Sequence, residues 1–178
     1  KAFWDVHFNK LQDIFKPQLD AVTLEDFMTF VNHAERSFIR VEADELTYAL
    51  HIMLRYDLEK ALIDGTLEVD DLPRAWNQKM QEYLGITPPN DTLGVLQDIH
   101  WSFGAFGYFP TYALGSAYAA QIYDAMAKDL DVETHIRNNN IKAINAWTKE
   151  NIHRFGGSKT PKEIMSTATN APFDPMYY

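Results

Sequence analysis

An all-α fold is predicted for this 178-residue chain by three features of its sequence. Apolar residues recur every three to four positions through most of the chain, which is the period of an amphipathic helix. Glycine and proline stand mainly at the ends of these periodic segments, where they open or end helices. Alternating strand patterns are scarce. We therefore expect a multi-helix protein, with residues 1–178 forming a single helical domain or fragment.

The first two predicted helices are defined by their apolar spacing and by the residues at their ends. The first covers residues 3–15 and is closed by Pro17, which cannot continue a helix. The second begins at Thr23, whose hydroxyl can cap it together with Asp26 three residues later. We expect this second helix to run to about residue 37.

The next two predicted helices have clear signals at their ends. The third covers residues 43–63, and Gly65 follows it as a residue that tolerates the left-handed conformation of a helix end. The fourth opens at Asp71 and Pro73 and ends at Gly85. Both carry an apolar stripe that predicts burial against neighbouring helices.

The second half of the chain has the same character. A loop at ITPPNDT is followed by a segment, LGVLQDIHW, that we expect to form a short helix, and then by a stretch rich in glycine and aromatic residues, SFGAFGYFP. Further helices are predicted at about 111–130, 132–137, 139–153 and 161–168. The last of these has Thr160 as its N-cap and Pro161 at its first position.

Composition excludes several classes of protein. The net charge is −9 and no stripe of Lys and Arg is present, so we expect no nucleic-acid partner. There is no run of about 18 apolar residues, so we expect no membrane span. Cysteine is absent, which excludes disulfides and thiolate chemistry and fits a cytoplasmic protein.

A metal site is not predicted within these residues. Zinc hydrolases usually carry two His four apart on one helical face with a Glu beside the first. No two histidines of this chain lie within one helical turn; they are His7, His33, His51, His100, His135 and His153. We therefore list no metal ligand among the candidate site residues.

Two short segments combine ionisable groups in a way that core packing does not require. In IRVEAD, Asp44 can cap the following helix with Arg40 balancing the charge, or both can bind substrate. In GVLQDIHW, Asp98 can orient the imidazole of His100, as in a hydrolytic relay, or that ring can lie within an aromatic cluster. The residue types alone leave both alternatives open.

Two tyrosines follow the second segment, on a glycine-rich stretch just before a helix. The hydroxyl of Tyr108 or Tyr112 can donate to a developing oxyanion without adding net charge. Both rings can equally belong to an aromatic core.

These segments resemble the I/V-R-x-x-A-D and G-x-x-Q-D-x-H-W signatures of the thermostable, Taq-type metallocarboxypeptidases. Four further segments also resemble the family and occur in the same order as in it: KAFWDVHF, FGYFPTYALGSAYAAQ, IHRFGGSKTPKEIM and ATNAPFDP. The resemblance covers essentially the whole chain. It implies the C-terminal part of an almost wholly helical peptidase similar to the neurolysin and angiotensin-converting enzyme group. It also implies a cytoplasmic homodimer that removes residues from peptide C-termini with zinc.

The resemblance implies ligands for that zinc in an H-E-x-x-H helix and a following H-E-S/G-Q segment, upstream of this chain, which opens on Lys1. Neither motif occurs here, and the family motifs H-P-F and D-x-R-x-T are also missing. We therefore expect the rest of the same polypeptide to be a partner of this segment, and the isolated 178-residue chain to be inactive.

Site residues follow by resemblance from the matched positions. We expect His100 and Tyr112 to bind the substrate backbone or the tetrahedral oxyanion, with Tyr108 as the alternative to Tyr112. Arg40 either binds the terminal carboxylate of the peptide or is an internal strut paired with Asp44 or Asp98, and the strut is slightly favoured. The remaining predicted substrate-binding residues are Asp44, Gln97, Asp98 and Trp101.

Two other functions remain open at this stage. The chain can be a helical interaction module that kept the fold and lost catalysis. It can also be a complete metalloenzyme that uses dispersed His and carboxylate residues, which we rank last.

Overall fold

The computed structural model describes residues 1–178 as eight α-helices joined by loops and short 3₁₀ turns, with no β-strand. The prediction of an all-α fold is therefore confirmed. The helices are α1 (Ala2–Ile14), α2 (Leu24–Val31), α3 (Glu45–Ile63), α4 (Leu72–Leu84), α5 (Pro110–Asp129), α6 (Val132–Arg137), α7 (Ile141–Asn151) and α8 (Pro161–Thr169). None of them is long and apolar enough to cross a membrane.

Most helix ends lie where local signals predict them. Thr23 and Asp26 bond each other reciprocally at the start of α2, and Thr160 and Glu163 form a complete capping box at α8. Gly85 ends α4 in the left-handed conformation, with φ of 68°. These ends are set by bonds between residues close in sequence, so the sequence alone predicts them.

The predicted extent of α2 is wrong, because the helix ends at Val31 and not near residue 37. The residues after Val31 bond the start of α3 instead of continuing the helix. The backbone N–H of Glu35 donates to the carboxylate of Asp44 at 3.0 Å, at the start of α3. A contact between residues nine apart therefore replaces the continued helix.

The short helix predicted at LGVLQDIHW is also wrong. Residues 91–96 form turns, and the first regular element after them is a 3₁₀ turn at Trp101–Phe103. The side-chain amide of Gln97 donates to the carbonyls of Leu93 and Gly94 and to that of Phe38. Such side-chain bonds to nearby carbonyls compete with the hydrogen bonds of a helix.

The chain divides into two compact units, residues 32–115 and residues 1–31 with 116–178. In the first unit α3 packs against α4. The core between them consists of Leu54, Leu58, Trp76, Met80 and Leu84. All the residues predicted for the functional site belong to this unit.

The second unit has its own core. Met126, Val132 and Trp147 are buried together, and the indole N–H of Trp147 donates to Asp129 at 2.7 Å. Helices α1 and α6 pack against each other. The single domain predicted from the sequence stays a prediction.

Candidate active site

Arg40 and Asp98 form a buried ion pair between the two signature segments. Arg40 lies in a 3₁₀ turn just before α3 and is only 6% exposed. Its Nη2 donates to Asp98 Oδ1 at 2.7 Å and its Nε to the same oxygen at 3.2 Å. Its Nη1 donates to the hydroxyl of Tyr48 at 3.2 Å. The partner of Arg40 is therefore Asp98 and not Asp44.

A second arginine, which the sequence reasoning missed, completes this cluster. Arg55 is fully buried on α3 and donates from Nε to Asp98 Oδ2 at 2.7 Å. Its Nη2 donates to Gln97 Oε1, also at 2.7 Å, and its guanidinium lies 4.6 Å from the centre of the Trp76 ring. The sequence does carry one signal for it: a charged residue stands among the apolar positions of α3, between Leu54 and Leu58.

The charges of the cluster stabilise one another. Burial raises the pKa of Asp98, but the hydrogen bonds and charges of Arg40 and Arg55 outweigh burial and hold that pKa below its usual value. Burial lowers the pKa of Arg55 to about 10, against the opposing effect of Asp98. All three groups are thus charged at neutral pH, and two guanidinium groups on one carboxylate leave one excess positive charge.

Gln97 joins the signature segments through its side chain. Its Oε1 accepts from the backbone N–H of Arg40 at 2.9 Å as well as from Arg55. Its Nε2 is used in the backbone contacts that shape the turn before it. The Gln-Asp pair of the second segment therefore holds the arginines of the first segment and of α3.

His100 and Tyr112 meet directly. The Nε2 of His100 lies 3.0 Å from the hydroxyl of Tyr112, and the imidazole packs against the buried ring of Phe109 at 4.4 Å between centroids. The Nδ1 of His100 has no hydrogen-bond partner and lies 3.9 Å from Asp98 Oδ1. His100 is 9% exposed, so the pair lies at the edge of the buried cluster.

The site also includes an aromatic margin. Tyr108 is half exposed and its ring lies 5.8 Å from that of His100 and 5.4 Å from that of Tyr112. Trp101 stacks on Phe106 and meets Trp76 edge-on. The geometry therefore joins Tyr112 to His100 by a hydrogen bond and leaves the Tyr108 ring in the more open position.

Asp44 lies at the start of α3 and acts as its N-cap. Its Oδ1 accepts from the backbone N–H groups of Leu46 and Thr47, each at 2.9 Å. Its Oδ2 accepts from the hydroxyl of Thr47 and from the backbone of Glu35. Both oxygens of Asp44 are thus used in capping, and its predicted contact with substrate stays a prediction.

His51 is a further residue that the sequence reasoning missed. It is fully buried on α3, and neither ring nitrogen has a hydrogen-bond partner. Burial, together with the charges of Arg55 and Arg40, lowers its pKa to about 4. His51 is therefore a neutral imidazole next to the charged cluster.

The residues of this chain do not fit a metal ion. No group of three or more His, Cys, Asp or Glu side chains is arranged to hold one. The carboxylate nearest the site, that of Asp98, is bound by two arginines instead. No chemical step is therefore derived through a metal from these residues.

Comparison with known proteins places this helical chain in a family of metallopeptidases. The chain belongs to the carboxypeptidase Taq (M32) metallopeptidase family, whose model matches residues 1–178. It is 45% identical to carboxypeptidase 1 of Bacillus subtilis (strain 168), over 99% of this chain and 36% of that protein. It is 42% identical to thermostable carboxypeptidase 1 of Thermus thermophilus, over 94% of this chain and 33% of that protein.

Solved structures agree with this assignment. The structure described as Pyrococcus furiosus carboxypeptidase, apo-Mg, superposes with a TM-score of 0.95 at 38% identity, over 99% of this chain and 35% of that one. The chain thus spans about a third of the length of the curated relatives it matches. The family resemblance inferred from the two signature segments is confirmed.

Proposed function

We propose that the full-length protein containing this segment is a metallocarboxypeptidase that removes residues from the C-termini of peptides. Membership of the family supports the class of reaction. The observation that carries the proposal is the His100–Tyr112 pair, 3.0 Å apart, at the edge of a buried cluster with one excess positive charge. Two hydrogen-bonding groups beside a positive charge favour a substrate group that is, or becomes, an anion.

The pair His100 and Tyr112 would bind the carbonyl oxygen of the peptide, or the oxyanion that develops from it. Each of the two groups can donate one hydrogen bond, and at present they bond to each other. A substrate oxygen that replaces this mutual contact receives donors already held in place by Phe109 and the start of α5. Tyr108, which is half exposed, is the alternative donor.

The buried cluster would hold the pair in place and set a positive charge beside it. The guanidinium of Arg40 lies 4.8 Å from the centre of the Tyr112 ring, so its charge is close to the proposed donors. Asp98 accepts from that guanidinium, and Gln97 accepts from the backbone N–H of Arg40. Trp101 belongs to the aromatic margin, and Asp44 fixes the start of α3.

The metal is the part of the proposal that lies outside this segment. We propose that a divalent ion, zinc, would be held by residues of the same polypeptide upstream of Lys1 and would supply a Lewis acid for the hydrolysis. The residues described here bind and orient the substrate and contribute no ligand. A homodimeric, cytoplasmic protein acting on peptides completes the proposal, which the family resemblance supports.

The experiment is a steady-state assay of the full-length protein on peptides with free C-termini. We expect His100→Ala and Tyr112→Phe each to lower kcat by about 10²-fold, as the loss of an oxyanion donor typically does. His153→Ala and Tyr123→Phe, at exposed positions of the other unit, are the matched controls and should leave kcat unchanged.

The outcomes separate the alternatives. Unchanged turnover in His100→Ala and Tyr112→Phe would contradict the assigned roles while leaving the class of enzyme intact. A wild-type protein that is loaded with metal and cleaves no peptide would contradict the proposed function itself and favour an interaction module.

A further inference from the structure

One face of α3 carries four buried polar residues at four-residue spacing: Thr47, His51, Arg55 and Glu59. Arg55 holds the Gln97–Asp98 pair, but Glu59 has no place in that cluster. It is only 4% exposed, and its Oε1 accepts a hydrogen bond from the backbone N–H of Gly107 at 2.5 Å, 48 residues further along the chain. Burying an acidic side chain costs stability unless its oxygens are bonded, so core packing does not explain this residue.

Gly107 belongs to the glycine-rich loop, residues 104–109, that joins His100 to α5. Gly104 and Gly107 have φ of 80° and 78°, a conformation that glycine adopts without strain. At the start of the loop, the N–H of Ala105 donates to the carbonyl of His100 at 2.9 Å. The bond from Gly107 to Glu59 is the second tie, and it attaches the middle of the loop to α3.

This second tie lies next to the reacting groups. Tyr108 directly follows Gly107, and Phe109, the buried ring against His100, comes next. The N–H of Tyr112 donates to the carbonyl of Phe109 at 3.1 Å. A displacement of Gly107 is therefore transmitted within five residues to the hydroxyl that bonds His100.

We propose that Glu59 is a positioning residue for the reaction: its carboxyl group anchors the loop so that the Tyr112 hydroxyl is held at His100 Nε2. The inference rests on the proposed function, because it assigns Glu59 an effect on the donors named there. Arg55 and Glu59, one turn apart on α3, then hold the chain just before His100 and the loop that leads from His100 to Tyr112. Glu59 itself touches neither substrate nor the reacting atoms.

Two substitutions of similar size isolate the anchor in the full-length protein. Glu59→Met removes the acceptor with a side chain of similar size, so its effect comes from the lost bond to the Gly107 N–H and not from a cavity. Glu59→Gln keeps an oxygen that can accept from Gly107. Glu68→Ala, at an exposed position after α3, is the control for the loss of an acidic residue.

The first measurement is hydrogen–deuterium exchange of residues 104–109, which does not depend on activity. We expect Glu59→Met to raise the exchange rate of this loop by about tenfold or more, because the bonded N–H then opens more easily. Glu59→Gln and Glu68→Ala should exchange like the wild type. Equal rates in Glu59→Met and wild type would overturn the anchor.

The second measurement is a double-mutant cycle in kcat on peptide substrates. We expect Glu59→Met to lower kcat by about tenfold in the wild-type background, as a misplaced catalytic group does, with Glu59→Gln restoring most of it. In the Tyr112→Phe background the same substitution should have little further effect, because coupled residues are not additive. Additive losses would overturn the positioning role, since a merely structural residue acts in both backgrounds.

The failures are distinguishable. A wild-type protein without peptidase activity would contradict the proposed function and, with it, the positioning role of Glu59 in the reaction. Hydrogen–deuterium exchange of residues 104–109 would still decide whether Glu59 anchors the loop. An active wild type with unchanged loop exchange in Glu59→Met overturns this inference alone.

Discussion

At the scale of single residues, the stability of the site depends on one carboxylate that neutralises two buried arginines. Asp98 is the one carboxylate that accepts from both Arg40 and Arg55, and all three side chains are less than a tenth exposed. Removing one member of a buried ion pair leaves the others unpaired in a poorly solvated environment, which costs far more than the pair contributes. The two arginines therefore make Asp98 the most sensitive residue of the unit.

We expect Asp98→Asn to lower the free energy of unfolding by about 3 to 5 kcal/mol, because two buried guanidinium groups lose their counter-charge. The matched control is Asp71→Asn, which breaks the exposed ion pair with Arg74. Its cost should be about 1 kcal/mol or less, since water screens exposed pairs. Thermal unfolding of the full-length variants measures both, and similar shifts would contradict the importance of burial.

A pH dependence of stability follows from His51. Its pKa falls from an ordinary 6.5 to about 4 in the folded protein through burial and the charges of Arg55 and Arg40, which Asp98 and Asp44 partly oppose. Only the unfolded chain binds the proton between those values, so stability is lost as pH falls from 6.5 to 4. At about 1.4 kcal/mol per pKa unit the loss approaches about 3 kcal/mol.

The test substitutes His51→Leu, which removes the titrating group and two unpartnered nitrogens. We expect the unfolding midpoint of this variant to fall less than that of the wild type between pH 6.5 and pH 4.5. At pH 8 the variant should be at least as stable as the wild type, because it removes two buried nitrogens that have no hydrogen-bond partner. Parallel pH profiles would show that His51 does not titrate in this window.

At the scale of elements, α3 is the framework of the site. Its first turn is capped by Asp44, and its apolar side chains Leu54 and Leu58 form the core with α4. Its buried polar face binds the chain at Asp98, before His100, and at Gly107, between His100 and Tyr112. Helices of this length owe most of their stability to packing. The start of α3 is the part that depends on a local bond.

Capping by Asp44 predicts different results for two substitutions in the full-length protein. We expect Asp44→Ala to lower the free energy of unfolding by about 2 kcal/mol, at the upper end for N-caps, since three backbone N–H groups lose their acceptor. Asp44→Asn should retain most of that stability and the wild-type KM. A raised KM in a stable Asp44→Asn variant would instead support the substrate contact predicted from the sequence.

At the scale of the whole molecule, this segment forms part of the site proposed for the full-length enzyme. It spans about a third of its relatives and brings together the donors and the charged cluster, without a set of metal ligands. The reacting groups of the proposed enzyme therefore come from two regions of the polypeptide. Such a division predicts that the full-length protein needs a metal for activity and that the segment alone binds none.

We expect chelation to abolish peptide hydrolysis by the full-length protein and added zinc to restore it, because the metal activates the attacking water. The 178-residue segment alone should bind no zinc stoichiometrically in a calorimetric titration, since no ligand cluster exists in it. Stoichiometric binding by the segment would contradict the placement of the ligands upstream. Activity that resists chelation would contradict the metal itself.

Much of the fold could be predicted because its signals are local. The caps at Thr23 and Thr160 and the left-handed Gly85 act through residues a few positions away. The two signature segments likewise identified the family without any knowledge of structure. The predicted helices were wrong where a side chain distant in sequence bonds the backbone. Asp44 accepts from the backbone N–H of Glu35, and the amide of Gln97 donates to the carbonyl of Phe38.

The sequence by itself determined the fold class, most helix ends and the family of this protein. Tertiary structure alone decided that Arg40 pairs with Asp98, that Tyr112 and not Tyr108 bonds His100, and that Arg55 belongs to the site. Arg40 and Arg55 are 58 and 43 residues from Asp98 along the chain. Such partners are chosen by how α3 packs against the loop that carries Asp98 and His100, because a buried charge must be paired with whatever group the fold brings within reach.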